Sequence, residues 1–486
     1  MASSPNLSFQ GVQYDAPSEG SDSQGPAVAV DELARLGIKY IRIQWVDLTN
    51  NIRFRVLPRA YFHKILKTSR PGTCLTKASL GLVFITVVEG FSATGEYVYA
   101  VDLSTLKLCP YAPGHASVMG WFEEKEPIVG IEGHRSVEVD LCPRTILRRV
   151  VDKAKETQFL IGFETEFILL KKTSPIEAVN PHGWCNAPAL PSGTLEAQVL
   201  EEIADALQVP GCGVELQMYH AEAAPGQYEV VTGPLPPLQA VDALIHTRET
   251  IFNVASKYGL RATLAPRVFL DNCGSAAHAH ISVHSTHGTS APHLPASTHP
   301  SLTPLESSFL SGILAHLSSL TLLALPTPPS YKRMLDGVWS GGTYVCWGTD
   351  NREAPLRLCN ASSPSSRNFE LKTLDGTANP YLAIAAVLGA GLDGIEHGRE
   401  LTIKECIGDK SAALLGAEGR AALGITERLP LSWKDARVNF EKSEFVDTLF
   451  GADFKKKYLA LNKKLQEEMS IGRMDDEELK LLVETY

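Results

Sequence analysis

Several features are missing from this 486-residue sequence, and each absence excludes a class of protein. No uninterrupted apolar run approaches the roughly 20 residues that span a bilayer, which argues against a membrane protein. No dense stripe of Lys and Arg is present, and the net charge of −10 argues against a nucleic-acid partner. The nine cysteines include no Cys-x-x-Cys pair, which favours reduced thiols in the cytoplasm. The start of the chain lacks the basic and apolar segments of a signal peptide.

The length and composition predict an ordinary globular protein of two domains. Hydrophobic residues make up 44% and charged residues 21% of the chain, and 486 residues exceed what one core usually serves. Residues 1–26, rich in Ser, Gly and Pro, are predicted to be a disordered tail. Short β-rich runs over residues 27–139 indicate a small α+β domain, and residues 140–486 a larger catalytic domain.

Periodicity and turn chemistry predict individual elements. Residues 40–46 and 52–57 are predicted strands joined by a hairpin turn at 48–51. Helices are predicted from Pro143 to about 157, over 194–207 and over 237–258. Residues 287–304, which are aperiodic and rich in Ser, Thr, Pro and His, indicate a surface insertion. The acidic-then-apolar segment 475–486 is a helix candidate that could dock on another subunit.

Acidic and imidazole side chains recur in short signatures that alternate like strands. Residues at i and i+2 on a strand point the same way, so the pairs Glu164/Glu166 and His278/His280 each present two polar groups to one side. A lone Glu-x-Glu pair is usually a solvated face, but stacked carboxylates repel unless cations neutralise them. Oxygen-rich ligand sets with one imidazole suit Mg²⁺ or Mn²⁺. The candidate ligands are Glu164, Glu166, Glu222, Glu229, His278 and Glu370.

The sequence resembles class I glutamine synthetases from about residue 30 onward. Five sequence blocks occur in the same order as in the family. The sequences of residues 339–342 and 351–357 are more similar to its FluG-type and nodulin-type branch than to its ammonia-using members. The blocks are Gly-Phe-Glu-Thr-Glu-Phe at 162–167, Glu-Ala-Ala-Pro-Gly-Gln-Tyr-Glu at 222–229, Gly-Ser-Ala-Ala-His at 274–278, Ser-Tyr-Lys-Arg at 330–333 with Trp-Gly-Thr-Asp-Asn-Arg at 347–352, and Ala-Asn-Pro-Tyr-Leu at 378–382 after Glu370.

The resemblance implies a fold and an assembly. The expected fold is α+β: a small N-terminal β-grasp-like domain precedes a catalytic domain with an antiparallel half-barrel sheet and flanking helices. Members form rings in which the N-terminal domain of one subunit completes the active site of its neighbour. A homo-oligomer, most simply a dodecamer of two hexameric rings, is therefore expected.

The resemblance also implies roles for single residues. Two Mg²⁺ or Mn²⁺ ions are expected, one on Glu166, Glu222 and Glu229, the other on Glu164, His278 and Glu370. ATP is the expected co-substrate, with Arg352 and Arg357 on its phosphates. His280 is expected near the nucleotide, although a packed imidazole is an equal alternative.

The amino-acid substrate is expected to contact Arg333, Gly274 and Lys372, with Arg333 on its α-carboxylate. Arg352, Arg333 and Trp339 are the residues expected to take part in catalysis.

Departures from the family pattern concern the amine and the amino acid. The acidic flap residue of ammonia-using members is replaced by Trp339, and no acid occupies residues 76–79, where an ammonium-binding aspartate is expected. Lys372 replaces an arginine and Cys273 an asparagine, so glutamate or a close relative is the expected acid.

These departures predict ATP-dependent γ-glutamyl ligation to an amine other than ammonia, through γ-glutamyl phosphate, in nitrogen metabolism. A glutamate–ammonia ligase is the alternative within the enzymes. A non-catalytic structural or signalling relative is the alternative of another class.

Overall fold

The structure is a computed structural model, and it describes residues 27–154, 156–182, 190–286, 294–338, 340–408, 410–470 and 475–486. Within the first 26 residues it describes only the two short strands β1 and β2. The predicted disordered tail otherwise lies outside the described residues and stays a prediction.

Strands and helices alternate irregularly along the chain. The strands are β1 (Leu7–Phe9), β2 (Val12–Tyr14), β3 (Tyr40–Val46), β4 (Ile52–Pro58), β5 (Gly72–Thr76), β6 (Leu82–Val83), β7 (Thr86–Val87), β8 (Glu96–Val101), β9 (Lys107–Leu108), β10 (His115–Val118), β11 (Gly120–Val129), β12 (Arg135–Glu138), β13 (Thr157–Thr173), β14 (Ile176–Ala178), β15 (Leu216–Ala221), β16 (Gln227–Leu235), β17 (Arg261–Thr263), β18 (Ala279–Ser285), β19 (Trp347–Thr349), β20 (Leu356–Cys359) and β21 (Asn368–Leu371). The α-helices are α1 (Arg59–Ile65), α2 (Pro143–Lys153), α3 (Leu195–Gln208), α4 (Pro237–Lys257), α5 (Pro304–Ala324), α6 (Pro380–Glu396), α7 (Gly416–Ala422), α8 (Trp433–Lys442), α9 (Glu444–Phe450), α10 (Ala452–Ser470) and α11 (Asp475–Thr485).

Two small four-stranded sheets and two strand pairs, β1-β2 and β6-β7, precede α2 in the described part of the chain, and one large sheet follows it. The small sheets have the strand orders β4-β3-β10-β9 and β12-β11-β8-β5. The large sheet has the order β15-β16-β13-β18-β21-β20-β19, with β14 and β17 also paired to β13. Its strand pairs are antiparallel except for β19 and β20. This antiparallel sheet, flanked by helices, is the α+β arrangement that the sequence predicts.

The predicted hairpin near the start of the chain is confirmed as β3 and β4. Asp47 organises its turn, because its Oδ1 accepts hydrogen bonds from the backbone N–H groups of Thr49 (2.9 Å) and Asn51 (3.0 Å). The turn then docks on the catalytic region: Asn50 Nδ2 donates to Gly376 O at 2.9 Å, and Asn379 Nδ2 donates to Asp47 O at 2.8 Å.

The helices predicted near 143, 194 and 237 are confirmed as α2, α3 and α4, with Pro143 and Pro237 in their first turns. Helix α5 begins at a capping box in which the side chains of Thr303 and Glu306 each bind the backbone N–H of the other. This helix is long and apolar enough by composition to cross a bilayer, yet 78% of its apolar window is buried inside the fold. It is therefore a core helix here.

A charged cluster joins the second small sheet to the catalytic region. The buried Arg144 guanidinium lies 2.8 Å from both Asp102 and Asp242 and 4.0 Å from the Trp121 ring. Tyr381 donates its hydroxyl to the same Asp242. Both carboxylates contact the same guanidinium, so neither is an isolated buried charge.

The C-terminal helix α11 forms as predicted, but its predicted dock is corrected: it packs on its own chain. Leu482 and Val483 are buried, and so is the following Tyr486. Leu264 N donates to Tyr486 O at 2.8 Å, and the Tyr486 hydroxyl donates to Thr49 O at 3.2 Å. The apolar half of the helix finds its partner within the chain, which satisfies the pattern without a second subunit.

The buried carboxylate of Glu249 faces the first small sheet from α4. Glu249 is 7% exposed, and its Oε2 lies 3.3 Å from Gln44 Nε2 and 3.6 Å from Arg42 Nη1. Burial raises the pKa of Glu249 to about 7, although the charge of Arg42 lowers it.

Glu249→Gln should therefore flatten the pH dependence of stability. Between pH 4.5 and 7 the folded wild type keeps a proton that the unfolded chain releases, so its stability falls as pH rises through this window. The loss that the variant should abolish is about 3 kcal/mol at about 1.4 kcal/mol per pKa unit. Urea unfolding with chelator at several pH values measures it. Glu201→Gln, on the exposed face of α3, is the control, and equal slopes for all three proteins would contradict the assignment.

Candidate metal and nucleotide site

The long strand β13 carries two of the predicted ligands, and its pairing register places others beside them. Glu166 pairs with Glu229 on β16, and Glu229 pairs with His220 on β15. Directly opposed residues in antiparallel strands share one face of a sheet. Three strands therefore contribute a row of side chains, His220, Glu229 and Glu166, to the same surface.

A second row crosses the sheet on the other side of β13. Gly162 pairs with His280 on β18, His280 with Glu370 on β21, and Glu370 with Arg357 on β20. Gly162 adds no side chain, which leaves the surface above it open. Glu164 lies between the two rows on the same face of β13.

The first row gathers one candidate cation group. His220, Glu222 and Glu229 place one ligand atom each within 4.8 Å of the others. His220 Nε2 is 3.1 Å from Glu229 Oε1, and His220 Nδ1 is 3.5 Å from Glu222 Oε1. Glu166 lies beside them, with its Oε2 accepting from Gln227 Nε2 and Ala276 N, both at 3.0 Å.

The second row gathers another group, Glu164, His280 and Glu370, with the same 4.8 Å spread. The carboxylate of Glu164 contacts two imidazoles: its Oε2 lies 2.9 Å from His278 Nδ1, and its Oε1 lies 2.9 Å from His280 Nε2. His278 Nδ1 is also 3.3 Å from Glu370 Oε1. The structure thus brings all six predicted ligands to one face, and adds His220 and His280.

Mutual repulsion marks the first group. The pKa of Glu166 is raised to about 8, by burial and then by the charges of Glu229 and Glu222. Burial also raises the pKa of Glu229 and that of Glu222, even though His220 opposes both shifts. The carboxylates are crowded beyond what the one imidazole balances.

The second group is better balanced by cations of the chain. Burial acts to raise the pKa of Glu164, but hydrogen bonds from His278 and His280 hold it well below its usual range. Burial, followed by the charge of Lys372, lowers the pKa of His278 to about 4. A neutral imidazole is the form that binds a metal ion.

Divalent cations fit both groups. Carboxylate oxygens with few imidazoles are the donors that Mg²⁺ and Mn²⁺ prefer. Among the described residues, the buried Nε2 of His278 has no hydrogen-bond partner, while its Nδ1 faces carboxylates. Bound cations would relieve the repulsion that raises the pKa of Glu166.

The residues predicted to bind the amino acid lie beside these groups. Arg333 is 2% exposed, and its Nε has no hydrogen-bond partner in the part of the chain that the structure describes. Gly274 is packed against it, since a Cβ there would lie 2.6 Å from Arg333 Cγ. Lys372 Nζ bonds Glu370 Oε1 at 3.0 Å. Arg333 Nη1 donates to Leu374 O at 3.4 Å, and a buried guanidinium whose Nε–H is unpaired suits a carboxylate ligand.

Arg357 and Arg352, the predicted phosphate ligands, differ in surroundings. Arg357 Nη1 lies 2.9 Å from Glu370 Oε2 and its Nε 3.2 Å from Cys359 Sγ. Arg352 is exposed, and its charge acts to lower the pKa of Glu222 against the larger effect of burial. Trp339 lies outside the described residues. Its neighbour Ser340 donates a hydrogen bond to Arg333 O.

Comparison with known protein families identifies the family of this chain. The family model described as "Glutamine synthetase, catalytic domain" matches residues 140–480. The chain belongs to the glutamine synthetase family. The α+β architecture described above is that of this family, whose members use ATP and divalent metal ions and are generally oligomeric.

Relatives within the glutamine synthetase family include a protein named as a glutamine synthetase and one named as a gamma-glutamylpolyamine synthetase. The chain is 35% identical to Protein fluG of Emericella nidulans, covering 93% of this chain and 49% of that protein, so it spans about half of that relative's length. It is 30% identical to Type-1 glutamine synthetase 1 of Dictyostelium discoideum, covering 92% and 89%. It is 29% identical to Gamma-glutamylpolyamine synthetase GlnA3 of Streptomyces coelicolor, covering 92% and 93%.

Among solved structures, one described as a novel glutamine synthase homolog superposes with a TM-score of 0.74 at 27% identity. The match covers 92% of this chain and 99% of that one. The fold therefore extends over almost the whole chain, including the small sheets that precede residue 140.

His220 is the residue of this glutamine synthetase-like site that the sequence analysis missed. The signal was present: His220 stands two residues before Glu222, the same spacing that singled out Glu164 and Glu166. Its pairing opposite Glu229 depends on strand register, which the local pattern does not reveal.

Glu229→Ala should remove one of two cation sites while leaving the fold intact. Glu229 belongs to the first group only, so calorimetric titration with Mn²⁺ should show one ion per chain instead of two, and ATP-dependent turnover should fall at least 100-fold. Glu201→Ala is a matched control on the exposed face of α3. Full Mn²⁺ stoichiometry and full activity in Glu229→Ala would contradict the assignment.

Proposed function

We propose that this protein is an ATP-dependent ligase that joins glutamate or a close relative to an amine other than ammonia. The single observation behind the choice of amine lies in the sequence: Trp339 occupies the position at which ammonia-using members have an acidic flap residue, and residues 76–79 contain no acid. Lys77 stands in that second segment and pairs with Glu124 at 2.7 Å.

The face of the large sheet supports the ATP-dependent half of the proposal. Glutamate's γ-carboxylate is a poor electrophile, so its oxygen first takes the γ-phosphoryl group of ATP and ADP leaves. Arg352 and Arg357 would hold phosphate oxygens with their guanidinium forks. Divalent cations bound to the two groups would neutralise the charge of the phosphoryl group.

The second half is aminolysis of the acyl phosphate. The amine nitrogen attacks the γ-carbonyl carbon, phosphate leaves, and the amine gives up a proton. Arg333 would hold the α-carboxylate during both steps, with Gly274 allowing the close approach and Lys372 beside it. Lys372 lacks the bidentate fork of arginine, so a relative of glutamate remains within the proposal.

The non-catalytic alternative has little support from the site. A chain freed from catalysis gains nothing from keeping buried carboxylates that repel one another. Here that repulsion persists, as the raised pKa of Glu166, about 8, indicates. The ammonia alternative is supported by the likeness to the Dictyostelium discoideum enzyme, and the amine choice by GlnA3.

We also propose a cytoplasmic location. All the cysteines within the described residues are free thiols. Unpaired cysteines persist in reducing compartments.

The acceptor is tested by comparing kcat/KM for ammonia with that for alkyl, aromatic and polyamine acceptors, following ATP-dependent phosphate release. An indole can cover an alkyl chain or attract a cationic head by about 0.5–2 kcal/mol, while general-base help from a carboxylate is worth roughly 10²–10⁴ in rate. We expect an amine to outperform ammonia, and Trp339→Glu to shift preference back. Trp339→Phe is the control that keeps an aromatic ring. Ammonia outperforming every amine in the wild type would favour the alternative.

The assembly is tested by mass in solution. A site completed by a neighbouring subunit requires an oligomer, so light scattering should give a mass many times 52.8 kDa, and rings of two stacked hexamers should appear by electron microscopy. An active monomer would refute the shared site.

A further inference from the structure

His220 lies at the open edge of the first group, where nothing in the six-ligand prediction placed a donor. Its side chain is 40% exposed, compared with 27% for Glu222 and 7% for Glu229. It reaches both carboxylates, one with each ring nitrogen. A residue in this position either balances the charge of the carboxylates or binds the same ion that they bind.

We propose that His220 is a direct ligand of the cation held by Glu222 and Glu229, which makes this site a mixed nitrogen–oxygen site. The proposal rests on the cation-dependent ligase function and specifies the chemistry of one of its ions. It replaces an all-carboxylate set with one that includes an imidazole.

The two ring nitrogens are arranged for this role. His220 Nδ1 lies 3.2 Å from Ala221 O, a carbonyl that can only accept, so Nδ1 carries a proton and is not the nitrogen that would bind an ion. A ligating histidine typically donates its other N–H to a backbone carbonyl, which fixes the tautomer. Nε2 lies 3.1 Å from Glu229 Oε1, to which it donates a hydrogen bond, and a cation bound by the carboxylates would take the place of that proton.

Strand pairing fixes the direction of the ring. His220 and Glu229 are directly opposed on β15 and β16, so both side chains leave the same face at neighbouring positions. The ring therefore cannot swing to the far face without a change in register.

Glu166 is less available than its position suggests. Its Oε2 already accepts two hydrogen bonds, from Gln227 Nε2 and Ala276 N, which leaves Oε1 for an ion. With Glu222, Glu229 and one oxygen of Glu166, an imidazole nitrogen completes a fourth protein donor. Nitrogen donors favour Mn²⁺ over Mg²⁺, because Mg²⁺ prefers oxygen ligands.

The competing explanation is an ion pair: His220 would be an imidazolium that holds the carboxylates together and leaves when a cation arrives. Crystals of the full-length wild type grown with Mn²⁺ distinguish the two, because anomalous scattering locates the ion. We expect a peak within bonding distance of His220 Nε2, Glu222 and Glu229. An ion bound by the carboxylates with His220 turned away would overturn the proposal and leave the ligase function standing. No ion at Glu222 and Glu229 would overturn both.

A second measurement works in solution and does not depend on activity. His220→Ala should weaken Mn²⁺ binding at the first group about 10-fold or more while changing Mg²⁺ binding less, as measured by calorimetric titration with each ion. The same variant should lose the ¹⁴N coupling of one imidazole in the spin-echo spectrum of bound Mn²⁺. His284→Ala is the control, since His284 bonds Ser282 outside both groups. An unchanged ratio of Mn²⁺ to Mg²⁺ affinity, or an unchanged ¹⁴N coupling, would refute ligation by His220.

Discussion

The register of β13 with its two neighbours is the constraint on which the site depends. Glu166 meets Glu229 on one side, and Gly162 meets His280 on the other, within a single strand of 17 residues. A slip of one residue would turn Glu164 and Glu166 to the opposite face and separate both candidate groups. Apolar neighbours such as Phe163 and Phe167, both fully buried, oppose such a slip because they would exchange faces with the glutamates.

That register concentrates negative charge, and the two groups differ in how many cationic side chains of the protein balance it. Around Glu164 and Glu370, the chain supplies imidazoles together with Lys372 and Arg357, so these carboxylates keep their pKa values low. In the first group, within the described residues, one imidazole, that of His220, contacts two of the three carboxylates, and the pKa values of Glu166, Glu222 and Glu229 all rise. A cation bound at the first group should therefore stabilise the folded protein more than one bound at the second, because binding to the folded state shifts the folding equilibrium.

Much of this site could be predicted from local sequence patterns, and the rest depends on the pairing of strands that are distant in the sequence. The i and i+2 spacing of Glu164 with Glu166 and of His278 with His280 is a property of one strand, so the sequence was sufficient to pair them. The hairpin at Asp47 and the proline-led helices were predictable for the same reason. His220 could not be predicted because its partner, Glu229, lies on the neighbouring strand, and the pairing of the two strands is not a local property. The packing partner of α11 could not be predicted because an apolar helix face does not specify the surface that it packs against. The roles of Arg333, Arg352, Lys372 and Trp339 remain predictions.

The turn between β3 and β4 bonds residues more than 320 positions away, through Asn50 to Gly376 and Asn379 to Asp47. Contacts of such separation close very long loops, and chains dominated by them fold slowly. The small sheets thus cannot complete their docking surface until the polypeptide through residue 379 has been made and folded. During synthesis the docking surface of the early part of the chain stays exposed until its partner has been made. This protein is therefore expected to depend on chaperones more than a chain whose domains fold one after another.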